Sequence, residues 1–185
     1  MLDHFATLQQ PRRPWLDPEE LKASFHRLSA TLHPDVRESG DADQFTALNA
    51  AYSTLREPAA RLRHLLELEQ PELLQSSAEI PEELADLFMQ IGGELRSFQH
   101  WLSRQNAATT PLARALLAGD SEALRQRFES IDAALACAYQ DLLQELQRAD
   151  ELWPATIGDL PLLQNRLTYL AKWRSQVREA LFRLG

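Results

Sequence analysis

Apolar residues recur along almost the whole of this chain at steps of three and four, and prolines rather than glycines supply the breaks. That spacing puts the apolar side chains on one face of a helix, and no strand period competes with it. Leu, Ala, Glu, Gln and Arg dominate, and all are good helix formers. Runs of β-branched residues are absent, and there are only 6 glycines against 10 prolines. The pattern predicts an all-α protein. At 185 residues, 44% of them hydrophobic, the chain can bury a core for one domain or two small ones.

The prolines divide it. Residues 3–9 read as a short helix with Leu2, Phe5 and Leu8 inward. A loop from Gln10 to Leu16 follows, held open by Pro11 and Pro14. Asp17-Pro18-Glu19-Glu20 is a helix start: Asp17 caps, Pro18 fits the first helical position, and two acids meet the positive dipole end. This second helix carries Leu21, Phe25, Leu28 and Leu32, and Pro34 ends it. A polar loop from His33 to about Asp41 follows. The third helix, capped by Asp41 or Asp43, carries Phe45, Leu48, Tyr52 and Leu55. Pro58 closes it and opens a fourth with Leu62, Leu65 and Leu66. Pro71 and Ser76-Ser77 mark a linker.

Three amphipathic helices are expected beyond it. The first begins at Pro81 with Leu84, Leu87, Phe88, Ile91, Leu95, Phe98 and Leu102. It is interrupted by Gly92-Gly93, each costing about 1 kcal/mol relative to Ala. A loop is expected over 105–119, with room for one helical turn after Pro111. A long helix then starts at Asp120 with Leu124, Phe128, Ile131, Leu135, Leu142 and Leu146, and Pro154 and Gly158 break it. Asp159 and Pro161 open the last, with Leu163, Leu167, Leu170, Val177 and Leu181 inward. These predict an antiparallel three-helix bundle. The layout is a helical N-terminal domain over 1–70, a linker over 71–80 and the bundle over 81–185.

The formal net charge of −8 and the lack of a basic stripe argue against nucleic acid as a partner. A single cysteine, Cys137, excludes an internal disulfide and a multi-cysteine metal site. Its apolar neighbours predict a buried thiol. No stretch is long and apolar enough to span a membrane, and the start lacks a signal pattern, so a cytoplasmic monomer is expected. His4, His26, His33, Asp35 and His64 show no metal-site spacing, and His100 lies in the other half. No nucleophile or phosphate loop accompanies them. We expect a protein that is not an enzyme and holds neither cofactor nor metal.

The tripeptide His33-Pro34-Asp35 stands out between the second and third helices. Alone it is weak, turning up by chance in on the order of 1 in 100 chains of this length, and Pro and Asp are ordinary turn residues. Its flanks lift it. Downstream runs Phe45-x-x-Leu48-Asn49-x-Ala51-Tyr52-x-x-Leu55-x-x-Pro58-x-x-Arg61, in which Asn49 and Arg61 are polar residues at fixed places. The whole arrangement resembles a J-domain, the module that stimulates the ATPase of DnaK-type heat-shock chaperones. Pro34 stiffens the loop, and a charged Asp35 suits a directional pair with an arginine of the partner. The resemblance implies a chaperone-binding surface of His33, Pro34 and Asp35 with Lys22, His26, Arg27, Arg37 and Asn49. Helix two carries fewer basic residues than many J-domains, and Val36 stands where a lysine is common. The pull toward an acidic chaperone surface is therefore weaker than usual.

There is no Gly/Phe-rich stretch and no repeated CxxC region, which sets the chain apart from general DnaJ proteins. Four segments resemble the HscB family, co-chaperones of iron–sulfur cluster assembly. They are His4-Phe5-Ala6-Thr7-Leu8 with Pro11; Leu55-Arg56-Glu57-Pro58-Ala59-Ala60-Arg61 leading into Leu65-Leu66; Leu84 to Arg96, with Leu87-Phe88-Met89-Gln90; and Tyr169-Leu170-Ala171-Lys172-Trp173-Arg174-Ser175. The resemblance implies an HscA-type ATPase as partner of the first domain. It implies an IscU-like scaffold as client of the bundle, bound through Leu87, Phe88, Met89, Ile91, Glu94 and Tyr169. Gly92-Gly93 replace an acidic and an apolar residue of the family pattern, which leaves room for a J-domain adaptor with a different client. From spacing alone, a Leu/Phe/Ile stripe is more often bundle core. Yet one helix face cannot bury Leu87, Phe88 and Met89 together, so Phe88 or Met89 is expected to point outward.

Overall fold

The computed structural model describes residues 2–32, 42–74 and 81–185. Among them the chain is helical throughout, with α1 (His4–Thr7), α2 (Pro18–Leu32), α3 (Ala42–Arg56), α4 (Pro58–Glu69), α5 (Ala85–Ala107), α6 (Pro111–Glu151) and α7 (Leu160–Leu184). It divides into two compact units: Met1–Ser77 with Leu143–Leu167, and Ala78–Leu142 with Thr168–Gly185. The boundaries fall inside α6 and α7, whereas the linker reading placed all of 81–185 in one bundle.

In the first unit α3 is central, with α1 and α2 both packed on it. Asp17 caps α2 as its sequence position requires, its Oδ1 accepting from the amides of Glu19 at 2.9 Å and Glu20 at 3.0 Å. Phe25 of α2 stacks on Tyr52 of α3 with centroids 4.3 Å apart. Phe5, Leu8, Leu21, Leu48, Leu55, Leu62, Leu65 and Leu66 form the core. Leu2, expected inward, is 52% exposed. The reason is local: Asp3 caps α1 by accepting from Ala6 N at 3.1 Å, so Leu2 lies outside the helix and off its face.

The C-terminal end of α6 belongs to this unit through Asp150. Its carboxylate is buried and accepts from Arg13 Nε at 2.9 Å, from Trp15 N at 3.0 Å and from the second arm of the Arg13 guanidinium. A charge-assisted pair of this kind is strong because both oxygens are committed. It joins the Pro11–Pro14 loop to a helix more than a hundred residues away, a pairing with no periodic signature in the sequence.

In the second unit, cross-helix contacts fix the register. Glu94 pairs with Arg127 at 2.9 Å, and the Trp101 indole N–H donates to the Leu117 carbonyl at 3.2 Å, so α5 and α6 run antiparallel. Arg125 donates to the Leu184 carbonyl at 2.9 Å and Arg174 lies 4.8 Å over the Tyr139 ring, so α6 and α7 are also antiparallel. Phe98, Trp101, Leu124, Phe128, Ile131, Leu135, Leu170, Trp173, Val177 and Ala180 fill the space between them.

Three expectations need correction here. The loop expected over 105–119 is confined to a few residues, because α6 begins at Pro111. Thr110 Oγ1 accepts from Ala113 N at 3.2 Å and Pro111 takes the first helical position, a start signal as good as Asp120. Cys137 is exposed rather than buried. It stands two residues past Leu135, about 200° around the helix from the buried stripe. Finally, α5 passes through Gly92-Gly93 unbroken, with neither glycine at positive φ.

The glycine pair yields a prediction. A Cβ at Gly92 would meet Arg96 Nη1 at 3.5 Å, and one at Gly93 would meet Arg96 Nη2 at 4.0 Å, ordinary contacts with the end of a flexible side chain. Gly92→Ala with Gly93→Ala is expected to stabilise the chain by about 1–2 kcal/mol. Urea unfolding followed by circular dichroism checks this; a lower midpoint for the double variant would contradict it.

Candidate functional site

Of the residues assigned to the chaperone surface, His33, Pro34, Asp35 and Arg37 lie outside the described residues. Lys22, His26 and Arg27 lie on α2 and are all exposed. They are spaced so that Lys22 and His26 share one face. Arg27 Nη1 donates to Gln9 Oε1 at 3.1 Å, so this cation is partly tied to the turn after α1. Gln9 itself has φ 55°, a left-handed conformation that ends α1. Asn49 is exposed, and its amide Nδ2 donates to the Phe45 carbonyl one turn back at 2.9 Å.

Behind this surface the J-type pattern residue Arg61 is 3% exposed. Its Nε donates to the Pro14 carbonyl and its Nη1 to the Leu55 carbonyl, each at 2.8 Å, and the guanidinium lies 5.9 Å from the Trp15 ring centroid. Leu55 is in the last turn of α3, where carbonyls have no intrahelical donor. One side chain therefore ties the Pro11–Pro14 loop, the end of α3 and the start of α4 together. Nearby, the His4 amide donates to His64 Nε2 at 3.1 Å, with the two rings 4.4 Å apart. Burial, and then the neighbouring His64, hold the His4 imidazole below its ordinary pKa. No group of three His, Cys, Asp or Glu able to hold a metal occurs among the described residues.

In the second unit the residues assigned to the client surface separate by depth. Phe88 is 41% and Met89 66% exposed. Both point outward, where the sequence argument required only one. Leu87 and Tyr169 are half-buried. Ile91 is 2% exposed, four residues on from Leu87 along the packed stripe, and so lies beneath the surface rather than on it. Glu94 is turned to Arg127. The residue that brings the cluster together was not assigned from sequence. Trp173 is buried, and its ring lies 6.0 Å from Phe88 and 5.6 Å from Tyr169. Its position four residues after Tyr169 was the available signal. Phe88 and Tyr169 thus form a partly aromatic patch backed by the buried Trp173 indole, with the exposed Met89 next to Phe88 along α5.

Two surfaces are therefore in place: exposed basic residues on α2, and an outward apolar cluster on α5 and α7. Comparison with known proteins bears on the N-terminal part and on the fold. The DnaJ domain matches residues 3–64, a span that includes His33-Pro34-Asp35, Asn49 and Arg61. For the whole chain, the solved structure of chaperone HscB from Vibrio cholerae aligns over 100% of both chains with a TM-score of 0.57 at 18% identity. Residues 3–64 thus match the DnaJ domain, and the chain shares the fold of this HscB structure.

Human co-chaperone HscB shares that fold, with a TM-score of 0.58 over 96% of this chain and 84% of its own, at 14% identity. Sequence relatives are matched over shorter spans. The chaperone protein DnaJ of Acaryochloris marina is 49% identical over 49 residues, 26% of this chain and 13% of that protein. The co-chaperone HscB homolog of Azoarcus sp. is 33% identical over 73 residues, 36% of this chain and 41% of the homolog. The DnaJ relatives are thus matched over about a quarter of this chain, and the HscB structures over nearly all of it. No helix among the described residues is long and apolar enough to cross a membrane.

Proposed function

We propose that this protein is a J-domain co-chaperone that stimulates the ATPase of a DnaK/HscA-type heat-shock chaperone and presents an IscU-like iron–sulfur scaffold to it. His33, Pro34 and Asp35 engage the chaperone, steered by Lys22, His26, Arg27 and Arg37, with Asn49 at the margin. Phe88, Met89, Leu87 and Tyr169 take the client, Ile91 supports them from below, and Glu94 flanks them. The observation that carries the reading is the DnaJ-domain match joined, in one chain of HscB fold, to an outward apolar cluster at the α5–α7 surface. Such a patch favours a protein partner, since exposed aromatics beside a packed indole bury well. In this reading the protein's role is to hold two partners.

A second reading keeps the J-domain and changes the client. Gly92 and Gly93 favour it, since they leave no side chain beside Met89. Steady-state ATPase of an HscA-type and a DnaK-type chaperone, each with this protein and with or without the scaffold, tests both. More-than-additive stimulation of the HscA-type chaperone by protein and scaffold is the expected result. Stimulation indifferent to the scaffold would move the client surface to another protein, and no stimulation of either chaperone would overturn the co-chaperone reading.

A further inference from the structure

Two turns beyond Phe88 and Met89 along α5, the second unit opens a cavity of about 480 Å³ against the start of α6. Its lining has a charge that the chain as a whole does not share. Arg96, His100 and Arg104 come from α5 and Arg127 from α6, with one carboxylate, Asp120. The buried Trp101 lines it too, its indole N–H committed to the Leu117 carbonyl at 3.2 Å. Arg104 pairs with Asp120 at 2.8 Å, and Arg127 with Glu94 at 2.9 Å. Arg96 and His100 are exposed, and among the described residues neither has a hydrogen-bond or ion-pair partner. Three guanidiniums thus face two carboxylates in a protein of net charge −8.

We propose that this cleft binds an extended acidic segment of a partner protein, with carboxylates at alternate positions. The spacing argues for it. Arg96, His100 and Arg104 are four residues apart and so rise by about 6 Å per step along one face of α5. Alternate side chains of an extended strand are separated by about 6.6 Å and lie on one side. Successive carboxylates of such a segment therefore meet successive turns of the helix: the Arg96 guanidinium receives one in the forked geometry that carboxylates favour, the His100 ring N–H donates to the next, and Arg104, already paired with Asp120, offers its remaining N–H groups. The volume lies within the ordinary range of ligand clefts. The charge of the whole chain opposes a long polyanion such as nucleic acid, while a short acidic segment reaches only the local field. The cleft is separate from the apolar cluster, and its occupation requires no chaperone, so it is measured independently of the co-chaperone reading.

The test is fluorescence anisotropy with the full chain and a labelled peptide carrying glutamate at alternate positions. A peptide with glutamine at those positions, inorganic phosphate and a single-stranded oligonucleotide serve as competitors. The glutamate peptide is expected to bind, to weaken with added salt, and to resist displacement by the other three. Arg96→Glu with His100→Gln, two exposed residues whose replacement leaves the packing intact, is expected to weaken binding about tenfold or more. Lys172→Glu, which changes the net charge equally elsewhere on the second unit, is expected to leave it within about twofold. No binding of the glutamate peptide, equal losses in both variants, or tighter binding of the oligonucleotide or phosphate would each overturn the proposal.

Discussion

Asp35→Asn is expected to reduce stimulation of the partner chaperone's ATPase by tenfold or more while leaving the thermal unfolding of the protein unchanged. The substitution keeps the shape of the side chain and removes its charge. A hydrogen bond to a charged group contributes about 1.5–3 kcal/mol, and at an interface its loss also leaves the partner's cation unmatched. Pro34 restricts the loop in either variant, so the comparison isolates the carboxylate. Steady-state ATPase with a DnaK- or HscA-type chaperone, run beside circular dichroism of the variant, makes the measurement. Full stimulation by Asp35→Asn would reduce His33-Pro34-Asp35 to a helix-ending turn and remove the residue on which the chaperone surface is centred.

Arg61→Ala is expected to have the largest effect on stability. The side chain is buried and donates at 2.8 Å to the carbonyls of both Pro14 and Leu55. Truncation leaves two inward carbonyls without these donors, at roughly 1–3 kcal/mol each, and removes the cation from the Trp15 ring. A loss of about 3 kcal/mol is expected, which for a unit of this size lowers the melting temperature by on the order of 15 °C. Arg61→Lys retains the charge but cannot donate to both carbonyls, and should fall between the two. Thermal unfolding by circular dichroism, with amide exchange of α3 and α4 as the local readout, decides it. An Arg61→Ala protein within 1 kcal/mol of the parent would show that the loop and helix ends are held by other contacts.

Arg61 also shows how family pattern and physical role converge. It was notable in the sequence only as a polar residue at a fixed place in a J-type pattern. Its position gives that residue a physical role: a branched cation reaches the Pro14 carbonyl of the loop and the Leu55 carbonyl at the end of α3 at once. Asp150 is the opposite case. It lies near the end of a long helix, in no motif, yet it holds Arg13 and the Trp15 amide. Nothing in its neighbours' periodicity distinguishes it from Asp141 or Glu151, both exposed.

The helices, their apolar faces and most of their ends were determined by the sequence alone, because these follow from local terms. A repeat of three and four residues selects the helix; Asp17-Pro18 starts α2 and Pro58 starts α4 through caps and fixed φ. Even the start of α6 is local: the turn after Pro111 continues into the helix that the sequence suggested at Asp120, with Thr110 as its cap. Tertiary structure decided what depends on distant partners. It set the depth of Phe88, Met89 and Ile91, the backing of that cluster by Trp173, the bridge from Asp150 to Arg13, and the gathering of Arg96, His100, Arg104 and Arg127 around one cavity. Periodicity reports which face of a helix is apolar. Which residues at the edge of that face are covered, and which charges are left facing one another, depends on the register of the neighbouring helices. That register is fixed by contacts between residues tens of positions apart.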